Sequence, residues 1–267
     1  MRKITLTPRQ QREREYYENF SNKLKNSKIS FNYIDYQGNR PGNSYWDFYD
    51  IVFHQYSEDK NKLLDFGCGA GGASIQFAKY GFQVSGFDNS PGMIKVAEHL
   101  AKQHNVFEKT DFTVQTAEKL DYPSGHFDII SGVDILHHID IEQGIKECYR
   151  ILKKGGQAIF REHIEIPVFD FVRNSKTGLK IIPKNYSAGH ITEDERKLNK
   201  KDILTIKEIF RSVELKRYLF LSRLDAFFST SQYSPTPTFF EKVDCFLFKF
   251  LPTSQKMGGA VVIILKK

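Results

Sequence analysis

The chain has 267 residues, of which 40% are hydrophobic, 14% aromatic and 27% charged, with only 9 prolines. This composition excludes a fibrous, collagen-like or largely disordered protein, and the length suits a single α/β unit with a sizeable core. The formal net charge of +7 permits attraction to nucleic acid or anionic lipid but requires neither, because the lysines are scattered rather than clustered.

The cysteines indicate a reducing compartment. Cys68, Cys148 and Cys245 show no metal-ligand spacing, and an odd number argues against a disulfide framework. A cytoplasmic location and the absence of a metal site are therefore predicted. The chain start leads into a polar, charged stretch at 10–18, and no stretch of about 18 apolar residues occurs, so neither a secretory signal nor a transmembrane span is predicted.

The N-terminal part predicts helices. Thr7 and Pro8 have the chemistry of a helix start, and aromatic residues recur at helical spacing after them, which predicts a helix from Pro8 to Lys25. A loop rich in glycine and proline follows at 37–44, and a second helical pattern runs over 46–56. Residues 1–60 are predicted to form a helical cap in front of the core.

From Leu63 onwards, predicted strands and helices alternate. Strands are predicted at 62–66, 82–87, 111–115, 127–131 and 157–162, and helices at 73–80, 91–103 and 140–152. Two lysines and two glycines at 153–156 predict a turn before the fifth strand. This alternation implies parallel strands joined by right-handed crossovers, with helices on both faces of one sheet.

A polar segment at 164–198 interrupts the alternation. An insertion there would overhang the carboxyl ends of the strands, where open α/β sheets bind ligands, so it is predicted to be a lid. The tail predicts a helix at 201–210, a strand at 214–220, a phenylalanine-rich helix at 238–251 and a last strand at 260–265. The predicted fold is therefore α/β, with a doubly wound, mostly parallel, seven-stranded sheet. Residues 61–163 form its cofactor-binding core, and 199–267 complete it.

A glycine motif follows the first strand. Gly67, Gly69 and Gly72 fit the pattern GxGxxG, and Asp88 lies at the distance that a dinucleotide-binding fold requires. Asp65 separates two cofactor classes, because a carboxylate at the end of that strand repels the pyrophosphate of a nicotinamide cofactor. The same carboxylate attracts the ammonium and sulfonium of S-adenosylmethionine. An NAD(P)-dependent oxidoreductase remains the alternative that Asp65 disfavours.

Five ordered motifs together resemble those of the class I S-adenosylmethionine-dependent methyltransferases, in particular the small-molecule types 11 and 25. They are Leu-Asp-Phe-Gly-Cys-Gly-Ala-Gly at 64–71, Val-Ser-Gly-Phe-Asp-Asn-Ser-Pro-Gly-Met at 84–93, Ala-Glu-Lys-Leu at 117–120, Leu-His-His-Ile at 136–139 and Leu-Lys-Lys-Gly-Gly at 152–156. The resemblance covers residues 63–162 and implies a Rossmann-like methyltransferase fold.

The resemblance also implies a set of contacts with S-adenosylmethionine as cofactor. Asp65 would receive its ammonium, Gly67 and Gly69 would let the backbone approach, and Asp88 would accept the ribose hydroxyls. The remaining implied contacts are Asn89 and Met93 beside the adenine, Ala117 and Glu118 at its amine edge, Gly132 and Val133 near the sulfonium, and Cys68 as small filler beside the cofactor.

Catalytic candidates follow the fourth strand. His137 and His138 lie where the resemblance puts the methyl acceptor, and histidine titrates near neutral pH, so either could take a proton from the acceptor. Packing against the next helix is the alternative reading of both. Asp134 departs from the small or neutral residue of the family and either holds a cationic acceptor or caps the turn. Glu162 and His163, at the end of the fifth strand, are expected to face the same opening.

A small-molecule acceptor is the predicted partner. The phenylalanines of 238–251 permit an amphiphilic acceptor and peripheral contact with a membrane, although core packing explains them equally well. A nucleic-acid acceptor is disfavoured, because an enzyme that grips a flipped base would carry Asn or Asp, two prolines and an aromatic residue after the fourth strand. The sequence has Ser131-Gly132-Val133-Asp134 there. A binding module without catalysis is disfavoured by the intact cofactor motifs.

Overall fold

One mixed sheet organises the residues that the computed structural model describes, which are 6–25, 40–174, 196–228 and 234–267. The strand order is β3-β2-β1-β4-β5-β7-β6, and β7 runs in the opposite direction to the other six strands. The strands are β1 (Lys62–Phe66), β2 (Gln83–Asp88), β3 (Thr110–Val114), β4 (Phe127–Val133), β5 (Leu152–His163), β6 (Ser212–Tyr218) and β7 (Ala260–Lys266). The predicted α/β fold with a mostly parallel seven-stranded sheet is confirmed.

Several of the described helices begin at side-chain caps that the sequence supplies. Asn43, Ser90, Asp140 and Thr238 each accept backbone N–H groups of the helix that follows them. The described helices are α1 (Pro8–Lys25), α2 (Ser44–Phe53), α3 (Gly72–Tyr80), α4 (Pro91–Gln103), α5 (Ile141–Ile151), α6 (Pro167–Asn174), α7 (Lys200–Ile209) and α8 (Phe239–Phe250). Within the described ranges, no helix combines the length and apolar character needed to cross a bilayer.

Both faces of the sheet are buried, as a doubly wound fold requires. Leu64, Ile130 and Phe160 belong to one apolar cluster, and their neighbours Leu63, Ile129 and Ile159 belong to the other. Consecutive residues of a strand point to opposite faces, which explains why these central strands read as unbroken apolar runs. The same burial leaves the carboxyl ends of the strands as the place where polar residues gather.

The predicted turn at 153–156 is wrong. The fifth strand begins at Leu152, and its register with β4 shifts between Phe127 and Ile129. The Gly155 N–H donates to the Lys267 carbonyl, and the Lys267 N–H donates to the Gly156 carbonyl. The two glycines are therefore an irregular part of the strand, held by the end of the chain.

The segment predicted as a lid starts and ends beside β5. Its first part forms α6, and the Leu198 N–H donates to the His163 carbonyl at 3.0 Å. The Glu165 N–H donates in turn to the Leu198 carbonyl at 2.9 Å. Residues 175–195 of this prediction lie outside the described residues.

Candidate active site

A cavity of about 320 Å³ opens at the carboxyl ends of β1, β2 and β4, with α1 across it. This volume lies at the lower end of the range of small-molecule sites. Most of the predicted site residues line it. They are Asp65, Gly67, Cys68, Gly69, Asp88, Asn89, Ala117, Glu118, Val133 and His138, whereas Met93, Gly132 and His137 lie outside the lining.

The glycine loop after β1 needs glycine for its backbone. Gly67 has φ of +77° and Gly69 has φ of +50°, which side chains rarely tolerate. A Cβ on Gly67 would lie 2.5 Å from the Ile135 side chain, so this position is also closed sterically. A Cβ on Gly69 would have Met93 Cε as its nearest neighbour at 3.6 Å. The Gly69 backbone is therefore accessible from the cavity.

Asp65 lies one residue before the end of β1, as a buried carboxylate beside the cavity. It is 3% exposed and accepts a hydrogen bond from Ser74 Oγ at 2.5 Å. Burial raises the pKa of Asp65 to about 6 in spite of this hydrogen bond. A ligand that brings a positive charge here would stabilise the ionised form.

Asp88 ends β2 on the other side of the glycine loop. It accepts the Gly69 N–H at 3.1 Å and the Ser90 N–H at 2.8 Å, one on each carboxylate oxygen. Burial nevertheless raises the pKa of Asp88 to about 6. The cavity thus holds two carboxylates whose protein donors do not offset their loss of water.

Cys68 lies between them as a buried, uncharged thiol. Burial is the largest cause that raises its pKa above the ordinary value, and the charges of Asp65 and Asp88 add to the effect. A thiol in this state is a poor nucleophile. Its place in the cavity lining is compatible with the predicted role as filler.

Helix α1 closes the cavity through polar contacts. Gln10 donates to Glu118 Oε2 at 2.7 Å and its carbonyl accepts from Asn89 Nδ2 at 2.8 Å. Arg14 Nε donates to Asn89 Oδ1 at 3.1 Å. Glu118 also accepts the Asp140 N–H at 3.1 Å. The wall predicted to meet adenine is therefore shared between the core and α1.

The sequence reasoning missed Gln10, Glu13 and Arg14, which line the cavity together with Tyr17. These four positions recur at three, four and seven residues from the first, so they share one face of the helix. That spacing of polar residues was the signal that could have found them. Tyr16 packs edge-on against the Tyr17 ring, at 5.2 Å between centroids.

The two histidines after β4 face different partners. His138 lines the cavity, with Nδ1 3.1 Å from Glu13 Oε1 and Nε2 3.4 Å from the Tyr17 hydroxyl. His137 is 5% exposed, and its Nδ1 lies 2.7 Å from Glu162 Oε2. The structure therefore brings His138, and not His137, into the cavity wall.

Glu162 holds the loop that carries these histidines. It is fully buried and accepts the N–H groups of Ile135 at 2.8 Å and Leu136 at 2.6 Å, besides its contact with His137. The expectation that Glu162 faces the cavity mouth is wrong, because all of these contacts turn its carboxylate toward the loop after β4.

Asp134 forms a pair that neither of its two sequence interpretations foresaw. It has φ of +52°, its Oδ1 lies 2.5 Å from Arg161 Nη1, and its Oδ2 accepts the Tyr45 hydroxyl at 3.0 Å. The Arg161 guanidinium also lies 4.1 Å from the centre of the Tyr45 ring. Burial alone would raise the pKa of Asp134, but the Arg161 cation brings it below its usual value.

His163 stands beside this pair. Burial, and then the Arg161 cation, lower the pKa of His163 to about 4. His163 is therefore neutral at physiological pH.

Met93 and Gly132 lie behind the lining. Met93 is 4% exposed, and its Cε would lie 3.6 Å from a Cβ placed on Gly69, so Met93 packs behind that glycine. A Cβ on Gly132 would lie 2.7 Å from the Phe160 ring, so this glycine lets β4 pass the neighbouring strand. Within the described part of the chain, no group of three or more metal-ligating side chains is found.

The comparisons with known proteins match this architecture. The family model described as "Methyltransferase domain" matches residues 64–160. Two curated relatives from Rauvolfia serpentina are ajmaline N-methyltransferase, 32% identical over 43% of this chain and 41% of the relative, and norajmaline N-methyltransferase, 30% identical over 63% and 53%. The chain spans about half the length of these relatives.

Solved structures extend the likeness to the whole chain. The geranyl diphosphate C-methyltransferase from Streptomyces coelicolor A3(2), solved with Mg²⁺, geranyl diphosphate and S-adenosyl-L-homocysteine, covers 98% of both chains with a TM-score of 0.60 and 15% identity. At that identity the likeness establishes the fold alone. The family model identifies residues 64–160 as a methyltransferase domain, and the solved structure shows that the chain shares its fold.

Proposed function

We propose that this chain is an S-adenosylmethionine-dependent methyltransferase that acts on a small-molecule acceptor. One observation carries the proposal: Asp65, which is buried, and Asp88, which is half-buried, line one cavity, and loss of water raises the pKa of each to about 6. Such a pair favours a ligand with both a cation and hydroxyl donors, and disfavours a pyrophosphate.

The residues present fit that cofactor. Asp65 would hold its ammonium, Asp88 its ribose hydroxyls, and the Gly69 backbone, which lines the cavity, would allow close approach. Bound S-adenosylmethionine supplies a methyl group that its sulfonium already activates, so the protein mainly has to align the acceptor.

The acceptor would lie toward the β4 end of the cavity, which Val133, Asp134 and Ile135 line. Arg161 and Tyr45 hold Asp134 in place, so the side of the cavity next to Asp134 is polar and rigid. The relatives named above methylate small molecules according to their names, which supports the same class here. Nothing in the cavity matches the base-gripping motif of nucleic-acid methyltransferases.

His138 is the candidate proton acceptor for substrates that must lose a proton. A carboxylate next to Nδ1 favours the tautomer with its proton on that nitrogen, so Nε2 keeps its lone pair. Nε2 is directed toward the Tyr17 hydroxyl at the cavity wall. His137, bonded to Glu162, serves in this proposal as a positioning residue for the same loop.

The surrounding segments supply the remainder of the proposal. Within the predicted cap at 1–60, helix α1 acts as a cover of the cavity, and the described ends of the predicted lid at 164–198 join the core beside β5. All three cysteines are free thiols, which supports a reducing, cytoplasmic setting.

Calorimetric titration of S-adenosylmethionine into Asp88→Ala tests the cofactor assignment. Loss of charge-assisted hydrogen bonds to the ribose should weaken binding at least about tenfold. Asp111→Ala, an exposed carboxylate on the neighbouring strand β3, is the matched control and should bind normally. Unchanged affinity in Asp88→Ala, or tight binding of NADH by the unmodified chain, would overturn the proposal.

Methyl transfer itself is tested by offering labelled cofactor with a panel of quinols, phenols, amines and sugars. With an acceptor in hand, His138→Gln should slow turnover at saturating substrate by about 10²-fold. Cofactor affinity should stay within about twofold. Unchanged turnover would assign His138 to the structure of the wall and leave alignment as the whole of catalysis.

A further inference from the structure

Helix α8 buries acidic side chains and exposes aromatic ones, the reverse of an ordinary surface helix. Glu241 and Asp244 are 3% and 1% exposed, whereas Phe239, Phe246 and Phe250 are 72%, 61% and 60% exposed. The three phenylalanines are spaced seven and four residues apart, which puts them on one side of the helix. We call this side the phenylalanine face.

The buried carboxylates fix that orientation. Glu241 accepts Arg40 Nε at 2.8 Å and Asn43 Nδ2 at 2.9 Å. Asp244 accepts the N–H groups of Leu221 at 2.8 Å and Ser222 at 3.0 Å. Rotating the helix to bury the phenylalanines would break these hydrogen bonds, so the phenylalanine face points outward because of the fold itself.

The apolar surface continues beyond the helix. Seven of the eleven large hydrophobic side chains that are exposed in the described ranges lie between Leu224 and Leu251. Besides the phenylalanine face they are Leu224, Phe227, Phe228 and Leu251. An apolar concentration of this kind on a water-soluble surface marks an interaction site.

The exposed charged side chains around this apolar surface are lysines. Lys242, Lys249 and Lys256 are exposed, and Lys249 Nζ lies 5.5 Å from the centre of the Phe250 ring. The acidic side chains of the same stretch point inward, and Asp225 is bonded to Thr238 Oγ1 at 2.6 Å. Together with a net charge of +7, this leaves a basic rim around exposed aromatic rings.

We propose that the phenylalanine face and its lysines dock on the surface of an anionic lipid bilayer. Phenylalanine and leucine enter the boundary between headgroups and acyl chains, and nearby lysines are attracted to anionic headgroups. The proposal does not rest on the proposed catalytic function, because it involves neither the cavity nor its carboxylates.

Co-sedimentation with vesicles tests it on the full chain. Vesicles of phosphatidylcholine with phosphatidylglycerol should bind the protein, and vesicles of phosphatidylcholine alone should bind it at least about tenfold more weakly, since both the apolar and the charge attraction contribute. The double variant Phe246→Ser/Phe250→Ser should lose at least about tenfold in binding to the anionic vesicles.

The matched control is Phe107→Ser. Phe107 is 39% exposed with Lys102 Nζ 4.6 Å from its ring centre, which repeats the pairing of Lys249 with Phe250. It adjoins β3, the strand at the far edge of the sheet from β6, and its substitution should leave vesicle binding unchanged. Lys242→Glu/Lys249→Glu should abolish the preference for anionic vesicles without unfolding the chain, as its circular dichroism would show.

Three results would overturn the proposal. One is an absence of binding to anionic vesicles by the unmodified chain. Another is binding that survives the phenylalanine double variant. The third is a dimer in solution that the double variant converts to a monomer, which would assign the phenylalanine face to a second copy of the chain.

Discussion

Buried carboxylates occur in two regions of this molecule, and the two regions differ in the hydrogen-bond donors that surround them. Beneath α8, Asp244 accepts the N–H groups of Phe220, Leu221 and Ser222 and the Ser222 hydroxyl. In the cavity, Asp65 has a single donor residue, Ser74, which contributes its hydroxyl at 2.5 Å and its backbone, and burial raises the pKa of Asp65 to about 6. The fold gives Asp244 several hydrogen-bond donors, whereas Asp65 has too few donors to offset its loss of water.

This difference separates a structural acid from an acid that awaits a ligand. A buried carboxylate surrounded by backbone N–H groups stabilises the segment that supplies them. A buried carboxylate with few donors costs stability until another molecule brings them. Asp244 is thus assigned to the architecture of the fold, and Asp65 to ligand binding.

Asp244→Ala should have the largest effect on folding. It leaves several backbone N–H groups of the 220–222 segment without their acceptor in a buried place, so the free energy of unfolding should fall by about 3–5 kcal/mol. Urea denaturation measures the loss. A loss below about 1 kcal/mol would show that water replaces the carboxylate and that Asp244 is not a structural acid.

Glu162→Gln should come next. The amide keeps the shape of the side chain but loses the charge that faces two N–H groups and His137, and about 1.5–3 kcal/mol of unfolding free energy should be lost. The exposed neighbour Glu165→Gln is the control and should be neutral. If methyl transfer is established, kcat should fall in Glu162→Gln while cofactor affinity holds, and the opposite pattern would contradict a positioning role.

The cavity carboxylates should make ligand binding depend on pH. Both folded pKa values of about 6 exceed the unfolded value, so the ligand-free fold binds extra protons between about pH 4 and 6 and loses stability as pH rises through this window. A cofactor that needs ionised carboxylates should bind more weakly at pH 5 than at pH 7.5, by about tenfold for each carboxylate. Calorimetry across this range measures it, and Asp88→Ala should halve the slope. A flat profile would mean that neither group meets a cation or a donor.

Phe246→Ser should have the smallest effect on stability. The side chain is 61% exposed, so the free energy of unfolding should change by less than about 0.5 kcal/mol. Phe48→Ala, at a fully buried ring, provides the contrast with a loss of about 3–5 kcal/mol. Thermal denaturation compares them. A large loss in Phe246→Ser would place this ring in the core and remove the basis for membrane docking.

The parts of the fold that the sequence predicts are those decided locally. Helix α4 begins at Pro91 because Ser90 caps it, and α3 ends at Gly81, whose φ of +141° suits glycine. Asp65 and Asp88 were placed correctly at strand ends because strand length is visible in the apolar pattern.

The parts that the sequence did not predict depend on distant partners. The course of residues 153–156 is set by Lys267, and the state of Asp134 is set by Arg161. Adjacent histidines cannot be told apart in the sequence, yet the short 3₁₀ turn at 136–138 sends His138 to the cavity and His137 to Glu162.

The way α1 is held has a consequence for ligand exchange. Around the cavity its anchors are hydrogen bonds: Arg9 donates to the His137 carbonyl at 2.7 Å, and Glu18 accepts the Gly92 N–H at 2.8 Å. Groups of this kind are readily solvated when a contact opens, whereas exposed apolar surface would drive aggregation. Opening the cavity side of α1 therefore exposes polar groups to water, while Leu24 near its far end joins the helix to an apolar layer of the sheet.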